Sequence, residues 1–272
     1  MNRANHFRTP PVLFRYELKF LIPVSMVDSI ATFISPYCVL DKHSLVKQDH
    51  YYTVNSLYFD SPDLIFLKRR MVGVENRFNM RVRCYGEEPH PPYFLEIKQK
   101  CGDIIKKTRA NVYAHHWPDI LTDPNYDCED LDEKSQLHVQ SFLKTALIYN
   151  AEPKVHIQYR RFAWVSEVDD YARVTFDIDI KCKPASDYLF SSSGLLNYDG
   201  APFLLPEGNV VLELKCYSTQ VPLWMVDLVR SFQLHRTSFS KYMTSMLELS
   251  GSFNIGFENR SSKIPFNKRG LI

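Results

Sequence analysis

The stretch Asn209-Val-Val-Leu-Glu-Leu-Lys-Cys-Tyr217 decides how the chain is read. It alternates strictly, so Leu212, Leu214 and Cys216 point to one face of a strand and Val211, Glu213 and Lys215 to the other. The same Glu-x-Lys spacing recurs at Glu17-Leu18-Lys19 and at Glu96-Ile97-Lys98, again within β-rich runs. Three strands from distant parts of the chain therefore carry carboxylate and ammonium groups on one pleat. A repeated charged face of this kind suggests the lining of a closed, polar barrel.

Working outward, the pattern predicts eight strands with helices set between them. Phe14–Ile22 is the first strand, and Val24–Ser35 has helical spacing. Tyr51–Asp60 follows, with Ser61-Pro62-Asp63 as the N-cap of a helix reaching about Val72. Arg77–Tyr85 is a strand, residues 89–92 a Pro-rich loop, and Tyr93–Lys100 and Ile104–Tyr113 a hairpin turning at Cys101-Gly102-Asp103. Residues 115–132 read as acidic and irregular, and Glu133–Leu147 as a helix. Lys154–Val165 and Ala172–Cys182 are long strands joined at Asp169-Asp170, and residues 184–208 read as a loop. Pro222–Leu234 and Phe239–Leu249 are the last helices. The class is α+β, an eight-stranded antiparallel barrel with flanking helices. A single domain is expected over 13–250, with loose tails at 1–12 and 251–272, the second carrying the basic stretch Arg260–Arg269.

The bulk numbers exclude several classes. With 45% hydrophobic and 24% charged residues the chain is globular, and a net charge of +2 gives no case for nonspecific nucleic-acid or membrane binding. Six cysteines without a Cys-x-x-Cys pair read as reduced thiols, which suits a cytoplasmic protein and argues against a zinc site. No apolar run is long enough for a membrane span.

The chemistry lies on the polar pleats. Lys19, Arg81, Arg83, Lys98, Lys107, Arg109, Arg173 and Lys215 share them with only Glu17, Glu96 and Glu213. Solvated outer faces with cross-strand ion pairs are one reading. A common interior is the other, and its surplus of cations then requires a partner with many negative charges along an extended path. Arginine forks and lysine ammonium groups both suit phosphate oxygens, and the carboxylates suit Mg²⁺ or Mn²⁺. A linear triphosphate or polyphosphate fits. Arg161 is a complication, because alternation places it with Val155, Ile157 and Tyr159, so turning it inward calls for a bulge or twist.

Nine motifs then appear in order: Arg15-Tyr16-Glu17-Leu18-Lys19, Ser56-Leu57-Tyr58-Phe59-Asp60, Met80-Arg81-Val82-Arg83, Leu95-Glu96-Ile97-Lys98, Lys107-Thr108-Arg109, Tyr159-Arg160-Arg161, Arg173-Val174-Thr175-Phe176-Asp177, Leu212-Glu213-Leu214-Lys215 and Ser238-Phe239-Ser240-Lys241-Tyr242. The series resembles the polyphosphate polymerase domain of the vacuolar transporter chaperone (VTC) family, within the triphosphate tunnel metalloenzymes. The resemblance covers about residues 13–247. It implies an eight-stranded tunnel in which Lys19, Arg81, Arg83, Lys98, Arg173 and Lys241 act on phosphate. Lys107, Arg109, Arg161, Lys215 and Ser240 would hold substrate, and Glu213, with Glu17 and Glu96, a metal. Its implied substrates are ATP, polyphosphate, triphosphate and orthophosphate, and it leaves room for a separate membrane-protein partner. Two departures stand out: Arg15 occupies a position where the superfamily's hydrolases carry Glu, and Ser238 one where the eukaryotic polymerase carries Lys.

The expected reaction is transfer of the ATP γ-phosphoryl group onto a growing polyphosphate, which needs positioning and charge neutralisation and no general base. A tunnel triphosphatase and a non-catalytic polyphosphate-binding module are the alternatives. The pair His115-His116, beside Trp117-Pro118 in an irregular stretch, is not read as a metal site, and the stripe of Trp224 is read as core packing.

Overall fold

Period-two alternation and helical spacing resolve, in the computed structural model, into ten strands and seven α-helices among the described residues, which are 15–101, 104–123, 126, 128–169, 171–197, 209–217 and 221–253. In chain order these begin with β1 (Arg15–Ile22), α1 (Val27–Ile34), β2 (Cys38–Leu40), α2 (Lys42–Leu45), β3 (Tyr52–Asp60), α3 (Ile65–Met71), β4 (Arg77–Tyr85), β5 (His90–Cys101) and β6 (Ile104–Val112). They continue with α4 (Asp119–Thr122), α5 (Glu133–Tyr149), β7 (Glu152–Ser166), β8 (Ala172–Pro184), β9 (Leu196–Asn197), β10 (Val210–Tyr217), α6 (Leu223–Ser231) and α7 (Lys241–Phe253). The expected leader, the tail Arg260–Arg269, residues 198–208 and the turn residues Gly102, Asp103 and Asp170 lie outside the described residues.

Eight strands form one antiparallel path, β1-β10-β8-β7-β3-β4-β5-β6, with β2 added to β7 and β9 to β8. The path curls into a half-barrel. Among the described residues no hydrogen-bonded ladder joins its edges β1 and β6. Instead Lys98 of β5 reaches Glu17 of β1, so long charged side chains bridge the seam that backbone pairing would close in a complete barrel.

Helices cover the outer face. Ile30 and Ile34 of α1 and Trp224 and Leu228 of α6 pack on Phe20, Phe176 and Leu212. Val139 and Phe142 of α5 pack on Leu57, Phe59, Met80 and Leu95. Burial of each such side chain contributes roughly 1.5–3 kcal/mol. The inner face is apolar at one end only. There Tyr242, Met246 and Leu249 of α7 enter against Val155, Ile157, Ile180, Cys182 and Val211 and fill that end of the half-barrel.

This end explains Arg161. Val155, Ile157, Tyr159 and Arg161 all face inward on an unbroken alternation of β7, apolar beside α7 and charged farther along, so the expected bulge in β7 is not needed. The bulge falls on β8. Gln158 pairs with Lys181 but Arg160 with Ile178, and the extra residue, Asp179, has φ 51°. Strict alternation would keep Val174, Phe176, Ile180 and Cys182 on one face, but across the bulge Val174 and Phe176 pack outward while Ile180 and Cys182 turn in.

Three boundaries have local causes. Ser61 caps α3 as expected, its Oγ accepting from Ile65 N at 3.0 Å, and Asp60 joins it: buried, it accepts from Phe66 N and Leu67 N at 2.9 Å each and from the Tyr242 hydroxyl at 2.6 Å, tying α3 and α7 to the end of β3. The expected loop at 89–92 is taken into β5 by pairing of His90 with Tyr85. β2, which alternation over three residues is too short to reveal, exists because Cys38–Leu40 pairs with Trp164–Ser166.

Candidate functional site

A cavity of about 1940 Å³ runs along the inner face, lined by eighteen Lys and Arg residues but five Asp and Glu. Parity puts them there: Glu17 and Lys19 on β1, Arg81 and Arg83 on β4, Lys107 and Arg109 on β6, Arg173 on β8, and Glu213 and Lys215 on β10. Of the fourteen site residues named from sequence, every one except Glu96 contributes to the wall. Glu96 is 1% exposed and sits beneath the cations.

The groups form two clusters around buried carboxylates. On the β4–β5–β6 side, Glu96 faces Arg81 at 2.8 Å, Lys107 at 2.6 Å and Arg109 at 3.0 Å. Burial would raise its pKa, but Arg81, Arg83, Lys107 and Arg109 hold it well below the usual carboxylate range. Lys107 shows the reverse balance: burial, with Arg81 and Arg83, outweighs Glu96 and lowers its pKa to about 7. Arg83, deeper, donates to the Tyr159 hydroxyl at 3.2 Å, and Arg81 to that of Tyr58 at 2.8 Å.

On the opposite wall, Glu213 meets Lys215 at 2.7 Å and Lys19 at 3.1 Å, with Lys241 at 3.9 Å and Arg161 at 4.0 Å. Burial opposes its ionisation, and Lys19, Lys215, Lys241 and Arg161 overcome it. Burial and Glu213 push Glu17 upward, yet Lys19, Lys98 and Lys215 bring its pKa down to about 2. Lys19 itself is raised: Glu213 and Glu17 prevail over its burial. Lys98 falls, because burial and Lys19 exceed what Glu17 returns.

Asp177 is the residue that sequence reasoning left out. It is fully buried and accepts from Arg161 Nε at 2.6 Å, Arg161 Nη2 at 2.8 Å and Lys241 Nζ at 2.5 Å. Its place on the face of Arg173 was readable from alternation, but its cations come from β7 and α7. Arg173 lies apart, near the α2 end, bonded to Asp41 at 2.5 Å and to the Tyr52 hydroxyl at 3.3 Å. Ser240 precedes α7 and accepts from Met243 N at 3.4 Å. Arg70, Arg77, Lys100 and Arg236, outside those fourteen, extend the basic wall.

A metal ion at this site would find few protein donors. Among the described residues the carboxylates of the cavity do not bring three ligand atoms within 4.8 Å of one another. The donor set fits an ion held by one or two carboxylates and completed by phosphate oxygens and water, the usual manner of Mg²⁺. Glu213 lines the cavity and is the best-placed donor, although its oxygens, like those of Glu96, face cations; Glu96 lies beneath the wall.

Comparison with known proteins gives a consistent family. The sequence model of the VTC domain matches residues 14–250. "Vacuolar transporter chaperone complex subunit 4" of Trypanosoma cruzi (strain CL Brener) is 24% identical over 229 residues, 73% of this chain and 28% of that protein. The chain thus spans little more than a quarter of that relative's length. Among solved structures, a candidate adenylate cyclase from Bacillus halodurans aligns with TM-score 0.46 and 13% identity, covering 84% of this chain and 94% of that one. A candidate adenylyl cyclase from Hippeastrum with a dominant triphosphatase activity aligns with TM-score 0.43 and 12% identity, covering 85% and 95%. No helix among the described residues is long and apolar enough to cross a membrane.

Proposed function

The chain belongs to the VTC domain family, and from that premise we propose that it is a polyphosphate polymerase, transferring the γ-phosphoryl group of ATP to a polyphosphate chain held in the basic cavity. The observation that carries the reading is the elongated cavity whose wall holds eighteen cations against five carboxylates. A polyanion of many closely spaced charges is the ligand such a wall is short of.

The residues divide by position. Arg81, Arg83, Lys107 and Arg109 form one cationic wall, and Lys19, Lys98, Lys215, Arg161 and Lys241 the other, so that a phosphate chain lies between arginine forks and lysine point charges. Charge that builds up on the transferred phosphoryl group is met by donors already in place. Lys241, at the first turn of α7 and anchored to Asp177, and Lys19, paired to Glu213, are the cations we assign to the reacting phosphates. Bound Mg²⁺ or Mn²⁺, held by Glu213 with Glu17 nearby, would neutralise phosphate charge and polarise the transferred group. Glu96 serves as counter-ion to its wall.

One observation favours transfer over hydrolysis. Both oxygens of Glu17 face ammonium groups, Lys98 and Lys215, which makes it a feeble base toward water. A phosphate acceptor is already anionic and needs no such base. We further propose cytoplasmic exposure and, from the chaperone-complex name of its relative, assembly with a separate membrane subunit.

The test is the fate of γ-labelled ATP phosphate supplied with Mg²⁺ or Mn²⁺. A ladder of long chains, lost in Glu213→Gln while polyphosphate binding persists, is expected. Orthophosphate alone would replace the polymerase by a triphosphatase. Binding without either product would leave a non-catalytic module.

A further inference from the structure

A second group of ionisable side chains lies outside the cavity, in the segment between β6 and α5. His115 Nε2 is 3.0 Å from Asp130 Oδ2, and His116 Nε2 is 3.0 Å from Asp130 Oδ1. The three ligand atoms lie within 4.8 Å of one another. His116 is 2% exposed, whereas His115 and Asp130 are open to solvent.

The hydrogen bonds behind His116 decide which of its nitrogens is free. The Tyr126 hydroxyl has one proton and donates it to the His115 carbonyl at 3.1 Å. Its contact with His116 Nδ1 at 2.9 Å therefore has the ring N–H as donor and the hydroxyl oxygen as acceptor. A neutral His116 then turns an unprotonated Nε2 toward a carboxylate oxygen 3.0 Å away, lone pair against lone pair. A cation seated among the three groups relieves that contact and takes in His115, whose Nε2–H otherwise donates to Asp130 Oδ2 at 3.0 Å.

We propose that His115, His116 and Asp130 bind one Zn²⁺. In a tetrahedral zinc site with bonds of about 2.0–2.1 Å, neighbouring ligand atoms stand about 3.3 Å apart, so the two His–Asp130 edges of 3.0 Å need only a slight opening, and the third edge, between the histidines, is within 4.8 Å. Two imidazoles favour zinc over Mg²⁺ or Ca²⁺. Tyr126 supplies the outer hydrogen bond that fixes the tautomer of a zinc-bound histidine. With His115 and Asp130 exposed, the fourth position faces solvent. The ion would pin the loop after β6 to the approach of α5, independently of phosphate chemistry. The absence of Cys-x-x-Cys does not bear on it, since its donors are nitrogen and oxygen.

The experiment uses the untagged full chain, stripped with chelator and titrated with Zn²⁺ against a chromophoric zinc indicator. One equivalent is expected, unaffected by excess Mg²⁺, together with a rise in melting temperature. His115→Gln and Asp130→Asn, both at exposed positions, should abolish that equivalent and leave the metal-free melting temperature unchanged. Tyr126→Phe should weaken binding by about 10- to 100-fold. No stoichiometric uptake, or equal uptake by His115→Gln and Asp130→Asn, would overturn the proposal. So would a thiolate charge-transfer band in the Co²⁺-loaded protein, which would assign the ion to cysteine.

Discussion

Replacing Glu96 by Gln separates a counter-ion from a metal ligand. The side chain is 1% exposed and faces Arg81, Lys107 and Arg109 within 3.0 Å. Removing one partner of a buried ion pair costs about 3–5 kcal/mol. Lys107 and Arg109 are 38% and 36% exposed, so solvent screens part of the uncompensated charge. The loss then falls near the bottom of that range, about 3 kcal/mol. For a chain of this size that lowers the melting temperature by about 6–12 °C. The acid limb should change as well. A carboxyl held well below 4.5 gives stability that is complete above its unfolded pKa and lost as pH falls toward its folded value. Glu96→Gln removes that contribution and flattens stability below about pH 4. Scanning calorimetry across pH, without and with triphosphate, reads both effects. Triphosphate should narrow the gap to wild type, because the freed cations find phosphate instead. A variant that melts like wild type, or one whose deficit triphosphate leaves unchanged, would refute the counter-ion assignment.

Lys107 gives a pH signature. Its pKa near 7 lies below the ordinary lysine value, so between about pH 7 and 10 the unfolded chain binds more protons and this group makes stability rise with pH. A bound polyanion should restore its proton, so triphosphate binding near pH 8 should take up as much as about one proton, read from binding enthalpy in buffers of different ionisation enthalpy and lost in Lys107→Met. Asp177→Asn should destabilise by about 3–5 kcal/mol and also lower the turnover number, because Arg161 and Lys241 lose their common anchor. Lowered stability with an unchanged turnover number would show that it does not position Lys241. Triphosphate should raise the melting temperature, and high salt should shrink the gain; no shift at millimolar triphosphate would count against the cationic interior.

Much of this arrangement was legible because a strand has a period of two. Once Glu213 and Lys215 are placed opposite Leu212 and Leu214, the same parity sends Lys19, Arg81 and Arg109 inward, and the structure places all three around one cavity. Parity fails wherever one residue is added. Asp179 adds one to β8, so Ile180 faces the apolar inner end rather than the outer core. Depth is also invisible to parity, since Glu96 and Glu213 share a pattern while only Glu213 reaches the cavity wall. Contacts between distant elements are hidden altogether. Nothing in the run Arg173–Asp177 announces that Asp177 meets Lys241 of α7, and the fifteen positions from His115 to Asp130 follow no helical or strand spacing.

The placement of the acids supports a division of labour along the cavity. Glu17, Glu96, Asp177 and Glu213 are each matched to at least two cations, so the charge of the deep wall is partly offset before any ligand arrives, with eight cations bridged to four carboxylates. Remaining cations such as Arg70, Arg77 and Lys100 line the cavity with no carboxylate in salt-bridge contact among the described residues. Long-range attraction for a polyanion thus comes chiefly from groups whose charge is not locally cancelled. In the deep wall, phosphate oxygens share the cations with carboxylates already in place, so the gain there depends on geometry as well as on the remaining surplus of charge. Substitution of Arg77 or Lys100 should therefore act on capture rate and salt dependence. Substitution of Lys241 or Arg161 should act on turnover. Kinetics that failed to separate the two groups would mean the cavity works as one undivided field.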